Sequence, residues 1–340
     1  MPARYVSKTN DIQLSSLTEA HFLSAALRHY LAVYAARAAH RRLAWRTPSA
    51  VRRIYDRQRA AQLERAAQLS WDEMLYGGDD ERDAALIDDR ITWATPRAAR
   101  ALNLTRIQDA VRSYVRPGGT VIELGCGSGR NLLYVKRMFP DVRCVGLELS
   151  PVSVALARAL AERFHLDVEF HECDVTGQLP PGIAPGSAAL AFTVHALEQI
   201  PRLHVGVVQR MSELASGGIL LLEPVPELWP RNARGMVSRL RVRALDRLLS
   251  LTPALHALQD TGTWSLTAAH RLRTAANPLN ETCELRMSRV PRGAKDERGV
   301  PGALERAALR RISHNGSTPP HVSARIRDLR AILALLEEGA

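Results

Sequence analysis

Short apolar runs alternate with helical patterns through the middle of the chain. Five short segments, the most apolar of them rich in Val, Ile and Leu and most of them ending in an acidic residue or followed by a turn signal, predict strands. They are residues 121–124, 142–148, 168–174, 188–194 and 217–224. Strands that alternate with helices indicate right-handed βαβ units and a parallel sheet. The pattern therefore predicts an α/β fold for this part of the chain.

The segments on either side have other patterns. Apolar residues recur at i, i+3, i+4 and i+7 from about residue 17 to 43, and Pro48 fits the first turn of a second helix that runs to about Tyr76. Residues 291–320 are rich in Gly, Pro, Ser and charge, which predicts a flexible linker, and 322–338 have the spacing of an amphipathic helix. We expect a helical N-terminal addition, an α/β domain, and a linker with a C-terminal helix. Their predicted limits are 1–100, 101–292 and 293–340.

A glycine-rich loop follows the first strand. Its residues are Gly125, Cys126, Gly127, Ser128 and Gly129. Glu123 stands two residues before the first glycine, and a helical pattern resumes at Arg130. Glycine lets the backbone approach a ligand, and the N-terminus of the following helix offers unpaired N–H groups. The loop has the form G-x-G-x-G, whereas dinucleotide-binding folds have G-x-G-x-x-G.

With the acid in front, the loop resembles motif I of the class I S-adenosylmethionine-dependent methyltransferases. Later residues agree with this family in order and spacing: Glu148 ends the second strand about twenty residues after the glycines, and Asp174 ends the third. Ser150 and Pro151 then fit the cap and first turn of a helix. The resemblance covers about residues 100–292. It implies a doubly wound, mostly parallel, seven-stranded Rossmann-like sheet, and it does not specify the substrate.

The resemblance implies that S-adenosylmethionine is the cofactor and that the strand ends bind it. Glu123 would hold the ammonium end, Glu148 would accept hydrogen bonds from both ribose hydroxyls, and Asp174 would accept one from the adenine amino group. A hydrogen bond to a charged acceptor contributes about 1.5–3 kcal/mol. The other predicted cofactor contacts are Gly125, Cys126, Gly127, Gly129, Leu149, Val175 and His195.

Two more apolar runs, 264–273 and 282–290, would be the sixth strand and the antiparallel seventh strand of such a sheet. Their connection would then lie at the carboxyl end of the sheet, where ligands bind in open α/β folds. Asn277, Asn280 and Glu281 would face the substrate there. The alternative is ordinary loop chemistry, in which Asn-Pro and Asn-Glu are common.

In this fold, elements added before the first strand usually cover the substrate. Trp71, Tyr76, Trp93 and Arg97 are candidates for such a lid, with Tyr76 and Trp93 as predicted substrate contacts. For each aromatic residue the alternative is ordinary helix packing.

His195 follows the fourth strand, which is where the resemblance places the transferable methyl group. A hydroxyl acceptor gains from a general base, whereas an amine only has to be neutral. His195 is therefore the candidate catalytic residue, although it could merely flank the cofactor, and Glu198 and Glu223 are alternatives at the same rim. No His/Asp cluster has metal-ligand spacing, so we expect a metal-independent reaction.

Charge is unevenly distributed. The net charge is +11 over 340 residues, with bases concentrated in about 1–60 and 230–330, whereas acids outnumber bases from 120 to 228. A basic rim could steer an anionic substrate or a nucleic acid. The same excess of arginine and alanine also results from a GC-rich coding sequence without any selection for anions.

Other features of the composition suggest a cytoplasmic enzyme. The four cysteines have no metal or disulfide spacing, so reduced, buried thiols are expected. No apolar run reaches the roughly 18–20 residues of a membrane span, and the start of the chain lacks the apolar stretch of a secretory signal. The oligomeric state is left open.

The absence of substrate-specific motifs narrows the function. No Asn/Asp-Pro-Pro-aromatic tetrapeptide, typical of enzymes that methylate base amines, follows the fourth strand. We therefore expect methyl transfer to an oxygen or nitrogen atom of a small molecule. An RNA methyltransferase that uses the basic flanks is the alternative. A protein that kept the fold and lost catalysis is disfavoured by the intact Glu123, Glu148 and Asp174.

Overall fold

A computed structural model describes the central part of the chain and most of its N-terminal part. The described residues are 19–39, 47–77, 82–200, 205–247 and 251–291. The predicted linker and C-terminal helix, at 293–340, lie outside them, as do the ends of the first predicted helix.

Seven strands of the described chain form one sheet in the order β5-β4-β3-β6-β7-β9-β8. They are β3 (Thr120–Leu124), β4 (Arg143–Glu148), β5 (Glu169–Glu172), β6 (Ala188–Val194), β7 (Ala215–Pro224), β8 (Trp264–Arg271) and β9 (Thr282–Arg289). The strands from β3 to β7 are mutually parallel, and β9 runs antiparallel to both β7 and β8. The predicted doubly wound α/β fold with an antiparallel seventh strand is confirmed.

Helices flank the sheet, and four of the described helices precede its first strand in the chain. They are α1 (Glu19–Ala39), α2 (Pro48–Glu64), α3 (Trp71–Tyr76), α4 (Arg97–Tyr114), α5 (Arg130–Met138), α6 (Pro151–Arg163), α7 (Val205–Leu214), α8 (Ala233–Ala244) and α9 (Thr252–Asp260). Within the described residues, none of these helices is both long and apolar enough to cross a bilayer.

The core lies on both faces of the sheet. Successive residues of β3 point to opposite sides: Val121 packs in the cluster formed with α4, α5 and α6, whereas Ile122 packs in the cluster that contains α7 and α9. Leu220 and Leu221 of β7 divide in the same way. A strand that is buried on both faces needs apolar residues at every position, which is why these strands are unbroken apolar runs in the sequence.

The predicted helix from Pro48 to Tyr76 is in fact interrupted. It ends at Glu64, a single 3₁₀ turn follows, and α3 begins after Ser70. Ser70 and Glu73 form a capping box, in which Glu73 N donates to Ser70 Oγ at 3.1 Å and Ser70 N donates to Glu73 Oε2 at 2.8 Å. This Ser-x-x-Glu signature is present in the sequence and marks the start of a new helix.

The prediction of an all-helical N-terminal addition is wrong for residues 83–94, which form a β-hairpin. Its strands are β1 (Asp83–Ile87) and β2 (Arg90–Ala94), paired antiparallel. Asp88 and Asp89 form the two-residue turn with positive φ angles of 49° and 67°, the conformation that such tight hairpins require. Leu86 and Ala275 exchange both backbone hydrogen bonds, so the hairpin docks on the β8–β9 connection.

Two details after β6 need a physical reason. Gly217 and Gly218 lie within β7, and the ring of Tyr114 packs so close that a Cβ on Gly218 would lie 2.5 Å from the ring Cγ, so only glycine fits there. After β7, α8 ends at Ala244, and Pro253 lies in the first turn of α9, where its missing N–H costs no helical hydrogen bond.

Candidate active site

A cavity of about 440 Å³ opens at the carboxyl ends of β3, β4, β5 and β6. Its walls are the glycine loop, the residues after these strands, one side of α2 and of α4, and the β8–β9 connection. The volume lies in the roughly 300–1,000 Å³ range of small-molecule sites. The sheet therefore places its ligand site where open α/β folds usually have theirs.

The glycine loop turns sharply against the end of β4. Gly125 N and Cys126 N both donate to Leu147 O, at 2.7 and 3.0 Å. A Cβ on Gly125 would lie 2.4 Å from the Cβ of Ala196, whereas one on Gly127 would meet no atom within 4 Å. Gly127 has a φ of +54° and lines the cavity, so its missing side chain keeps space open for a ligand.

Glu148 holds this loop in place. Its Oε2 accepts from Gly127 N at 2.9 Å, and its Oε1 accepts from Ser150 N at 2.8 Å. Burial raises the pKa of Glu148, while these backbone donors and the Arg59 guanidinium oppose the rise. Each carboxylate oxygen can accept a second hydrogen bond, so the side chain can still bind a hydroxyl pair.

Glu123 is the more unusual acid. It is 1% exposed; Asn131 Nδ2 donates to its Oε1 at 2.7 Å, whereas its buried Oε2 has no hydrogen-bond partner among the described residues. Burial raises the pKa of Glu123 to about 8, against the opposing effects of Asn131 and Arg130. A buried carboxylate oxygen without a donor is costly, and a cationic ligand group would satisfy it.

The other predicted cofactor residues lie at the cavity, with one exception. Asp174 is partly exposed and accepts from Thr176 N and Thr176 Oγ1, at 2.9 and 2.6 Å. The remaining predicted contacts in the cavity wall are Cys126, Leu149, Val175 and His195. Gly129 is instead the N-cap of α5, packed against Phe170 beside α6, so it shapes the loop from behind. Their roles toward a cofactor remain predictions.

His195 lies in the wall after β6 with both ring nitrogens engaged. Its Nε2 lies 2.8 Å from Thr282 Oγ1, and its Nδ1 lies 3.3 Å from Asn280 Nδ2 and 3.7 Å from Glu198 Oε1. The imidazole is 29% exposed and lines the cavity. The structure thus brings the predicted His195 and Asn280 together, in a contact that the sequence did not predict.

The two alternative carboxylates are not in the cavity wall. Burial raises the pKa of Glu223, whose oxygens accept from the backbone N–H groups of residues 196–198. Burial alone would raise the pKa of Glu198, but Arg247, His195 and Arg241 hold it well below its usual value. Glu198 Oε1 lies 2.5 Å from Arg247 Nη1. Both carboxylates hold the turn after β6 in place from behind.

The β8–β9 connection contributes Asn277, Asn280 and Thr282 to the cavity, as predicted for the two asparagines. Glu281, which was also expected to face the substrate, is buried away from the cavity. It forms ion pairs with Arg234 at 3.1 Å and with Arg271 at 2.9 Å, because two buried guanidinium groups need a counter-charge. Both arginines also contact Asp89 of the hairpin. The hairpin and this ion-pair network therefore brace the connection.

The predicted lid residues lie elsewhere. Trp93 is on β2 and is 39% exposed. Trp71 packs edge-on against Phe164, and Arg97 stacks over Tyr76, so these residues form packing contacts outside the cavity. The structure does not place the predicted substrate contacts Tyr76 and Trp93 at the site. Helix packing, the alternative stated for the aromatic residues, describes Trp71 and Tyr76.

The wall on the N-terminal side is instead made by α2 and α4. Val51, Tyr55 and Arg59 recur at four-residue spacing on one side of α2, and Arg100 and Asn103 come from α4. The spacing on α2 is visible in the sequence, but no residue of α2 is fully buried, so its pattern does not stand out from that of a solvated helix. Among the described residues, no group of three or more His, Cys, Asp or Glu is arranged to hold a metal ion.

Comparison with known proteins identifies the part of the chain that carries this site. Residues 121–218 match a family model described as a methyltransferase domain. This segment contains the glycine loop and the ends of β3 to β6, that is, most of the cavity wall described above.

Individual relatives match over stretches of similar length. The ribosomal protein L11 methyltransferase of Thermosipho africanus is 35% identical over 94 residues, which are 27% of this chain and 36% of that protein. The carboxy-S-adenosyl-L-methionine synthase of Wolinella succinogenes is 33% identical over 98 residues, or 28% and 40% of the two chains. The matches thus span less than half the length of these two relatives. The crystal structure of the magnesium protoporphyrin IX methyltransferase from Synechocystis PCC 6803 aligns over 72% of this chain and 99% of its own, with 13% identity and a TM-score of 0.49.

Proposed function

Residues 121–218 form a methyltransferase domain of the class I, S-adenosylmethionine-dependent kind, and from this premise we propose that the protein transfers a methyl group from S-adenosylmethionine to an oxygen or nitrogen atom of a small molecule. The division of the chain at about residues 100 and 292 is likewise proposed, and so is the small-molecule nature of the acceptor.

The observation that carries the proposal is the state of Glu123. Its buried Oε2 lacks a donor, directly beneath a glycine loop whose open side faces the cavity. The amino-acid end of S-adenosylmethionine carries an ammonium group, which would donate to this oxygen. A pyrophosphate would instead bring negative charge to a buried carboxylate, so the site fits the zwitterionic cofactor better than a dinucleotide.

The remaining residues of the site fit the rest of the cofactor. Glu148, fixed by two backbone donors, can accept from the ribose hydroxyls, and Asp174 can accept from the adenine amino group. When bound, S-adenosylmethionine supplies a methyl group already activated by its sulfonium. The chain then has to hold an acceptor atom roughly 3–3.5 Å from that carbon, a positioning effect that can account for much of the acceleration.

A small acceptor is supported by the walls of the cavity. Tyr55 and Val51 of α2 and Asn103 of α4 face the glycine loop, with Ile200 and Asn277 on the other sides. The wall also contains Arg59, Arg100 and Arg130, and apolar surface with a small number of polar and charged groups is typical of sites for small molecules.

Calorimetry with S-adenosylhomocysteine, in the presence of a chelator, tests the proposal. Gly127→Val should abolish binding, because a branched side chain would occupy the ligand space at a strained φ. Glu148→Ala should weaken binding by about 1.5–3 kcal/mol. Glu169→Ala is the matched control, because this exposed glutamate begins β5 at the opposite end of the sheet, paired with Arg143, and should bind normally. Unchanged affinity in both cavity variants, or tighter binding of a nicotinamide dinucleotide, would contradict the proposal.

A further inference from the structure

The orientation of the Asn280 side chain is fixed by its neighbours. Arg241 Nη1 lies 2.5 Å from Asn280 Oδ1, and a guanidinium can only donate, so the atom facing it must be the amide oxygen. The amide nitrogen therefore points the other way, where it donates to Glu198 Oε2 at 2.9 Å and reaches His195 Nδ1 at 3.3 Å. The flipped amide would place a donor against Arg241 and an acceptor against a carboxylate.

This orientation selects the tautomer of His195. Each of the two amide hydrogens of Asn280 has one acceptor, the first Glu198 and the second the Nδ1 lone pair. Neutral His195 consequently carries its proton on Nε2, which donates to Thr282 Oγ1 at 2.8 Å. Glu198 attracts a proton on His195, which is why His195 helps to lower its pKa, but Glu198 Oε1 lies 3.7 Å from Nδ1, beyond hydrogen-bond distance, and is already paired with Arg247.

The acceptor side of the cavity therefore lacks an available base, and the Thr282 hydroxyl, which accepts from His195, keeps its own hydrogen for a group in the cavity. The lone pair of His195 faces the buried amide of Asn280, and Glu198 and Glu223 stand behind the wall. Among the described cavity residues, the carboxylates are Glu123, Glu148 and Asp174, which lie at the strand ends assigned to the cofactor. The side chains near the end of β6 and the β8–β9 connection are imidazole, amide, hydroxyl and apolar groups.

We propose that His195 donates through Nε2 to Thr282 and does not act as a base, so that the Thr282 hydroxyl is left to donate to the methyl acceptor. The acceptor is then an oxygen already ionised at neutral pH, with a carboxylate as the class that fits, because a neutral amine also needs no base but would direct its N–H groups at a donor. The assignment of the acceptor rests on the proposed function, whereas the tautomer does not. The carboxylate oxygen forms the O–C bond with its own electron pair, and the C–S pair stays on sulfur. No proton has to leave, and the products are a methyl ester and neutral S-adenosylhomocysteine.

The tautomer can be measured directly by long-range ¹H–¹⁵N correlation NMR of the full chain, with the His195 signals assigned by their loss in His195→Gln. We expect the proton on Nε2 in the wild type. Asn280→Asp keeps an oxygen toward Arg241 but turns an acceptor toward His195, so the proton should move to Nδ1. Observation of the Nδ1–H tautomer in the wild type would overturn the proposal, whether or not an acceptor is known.

Paired substitutions of His195 separate donor from base. The amide nitrogen of Gln can occupy the place of Nε2–H, whereas that of Asn reaches only the place of Nδ1. His195→Asn should therefore lower methyl transfer more than His195→Gln does, by up to roughly tenfold relative to it, because one hydrogen bond between neutral groups contributes about 0.5–1.5 kcal/mol. Equal loss in both variants would contradict a donor role.

The acceptor class is tested with labelled methyl donor and a panel of carboxylic acids, phenols and primary amines built on the same carbon skeletons. We expect label in acids only, in products that release volatile methanol on alkaline treatment, as methyl esters do. Alkali-stable label in phenols or amines would overturn the assignment of the acceptor while leaving methyl transfer intact. Failure of the wild type to bind S-adenosylhomocysteine would instead contradict the proposed function.

Discussion

Glu123→Gln tests whether the charge of this buried carboxyl group controls cofactor binding. Glutamine keeps the acceptor for Asn131 and nearly the same shape, and it removes only the charge. Moving the pKa of Glu123 from 4.5 to about 8 corresponds to a cost of about 5 kcal/mol for the buried ionised form, at roughly 1.4 kcal/mol per pKa unit. At pH 7 the empty protein should therefore keep this carboxyl about nine-tenths protonated.

The sign of the pH dependence follows from this protonation. A cationic ligand group favours the carboxylate, so binding must first remove the proton, and that cost falls as the pH rises toward 8. We expect the affinity for S-adenosylhomocysteine to rise up to tenfold between pH 6 and pH 7, with nearly one proton released per ligand bound. The ligand's own α-amino group lies beside a carboxylate and is more basic than a polypeptide N-terminus, whose pKa is about 7.7–8.0, so it stays charged in this window.

Titration calorimetry from pH 6 to 7.5, in two buffers of different ionisation enthalpy, measures both quantities. Glu123→Gln should bind more weakly at pH 7.5, with little pH dependence and no released proton. Without ligand, the wild type loses stability as the pH rises from 4.5 to about 8, because the unfolded chain releases the Glu123 proton that the folded protein retains, so the variant should gain stability relative to it over that range. A flat wild-type affinity, or an equal slope in the variant, would refute the reasoning.

Three further predictions concern the surroundings of the site. Glu198→Ala should lower the free energy of unfolding by about 3–5 kcal/mol in chemical denaturation, because Arg247 loses its buried partner; an effect below about 1 kcal/mol would contradict this. Asp89→Ala removes the acceptor shared by Arg234 and Arg271, so amide hydrogen exchange in residues 272–281 should accelerate while the glycine loop stays protected; equal exchange in both segments would argue against a bracing role. Single-stranded RNA should bind weakly, with an affinity that falls steeply with salt, and it should gain no label from the methyl donor; a labelled, sequence-specific product would favour the RNA alternative.

The parts of this protein that the sequence could predict are those set by local pattern. Apolar runs predicted most of the parallel strands, because burial on both faces favours apolar residues, although β3 contains the buried Glu123 and β5 is mostly polar. The Glu123–Gly129 segment, Glu148 and Asp174 came together at one edge because parallel strands end on the same side of a sheet. The capping box at Ser70 and the two-residue turn at Asp88 are also local signals. They were missed because each is marked by only two residues, whereas the helical spacing around them extends over many.

What only the tertiary structure decided is which side chains meet across long stretches of chain. Trp93 and Tyr76 are of residue types that often cover a substrate, yet α2 forms the N-terminal wall of the cavity. Composition could not predict this, because the position of α2 is set by its packing against α6. Glu281 was predicted to face the cavity, but it is buried in an ion pair with Arg234, which lies 47 positions earlier in the chain. The state of His195 depends on Asn280, 85 residues later, and through it on Arg241. Local sequence decides which groups are available near a strand end, but hydrogen-bond direction and charge pairing arise only when distant segments are packed together, and the tautomer that we propose for His195 follows from them.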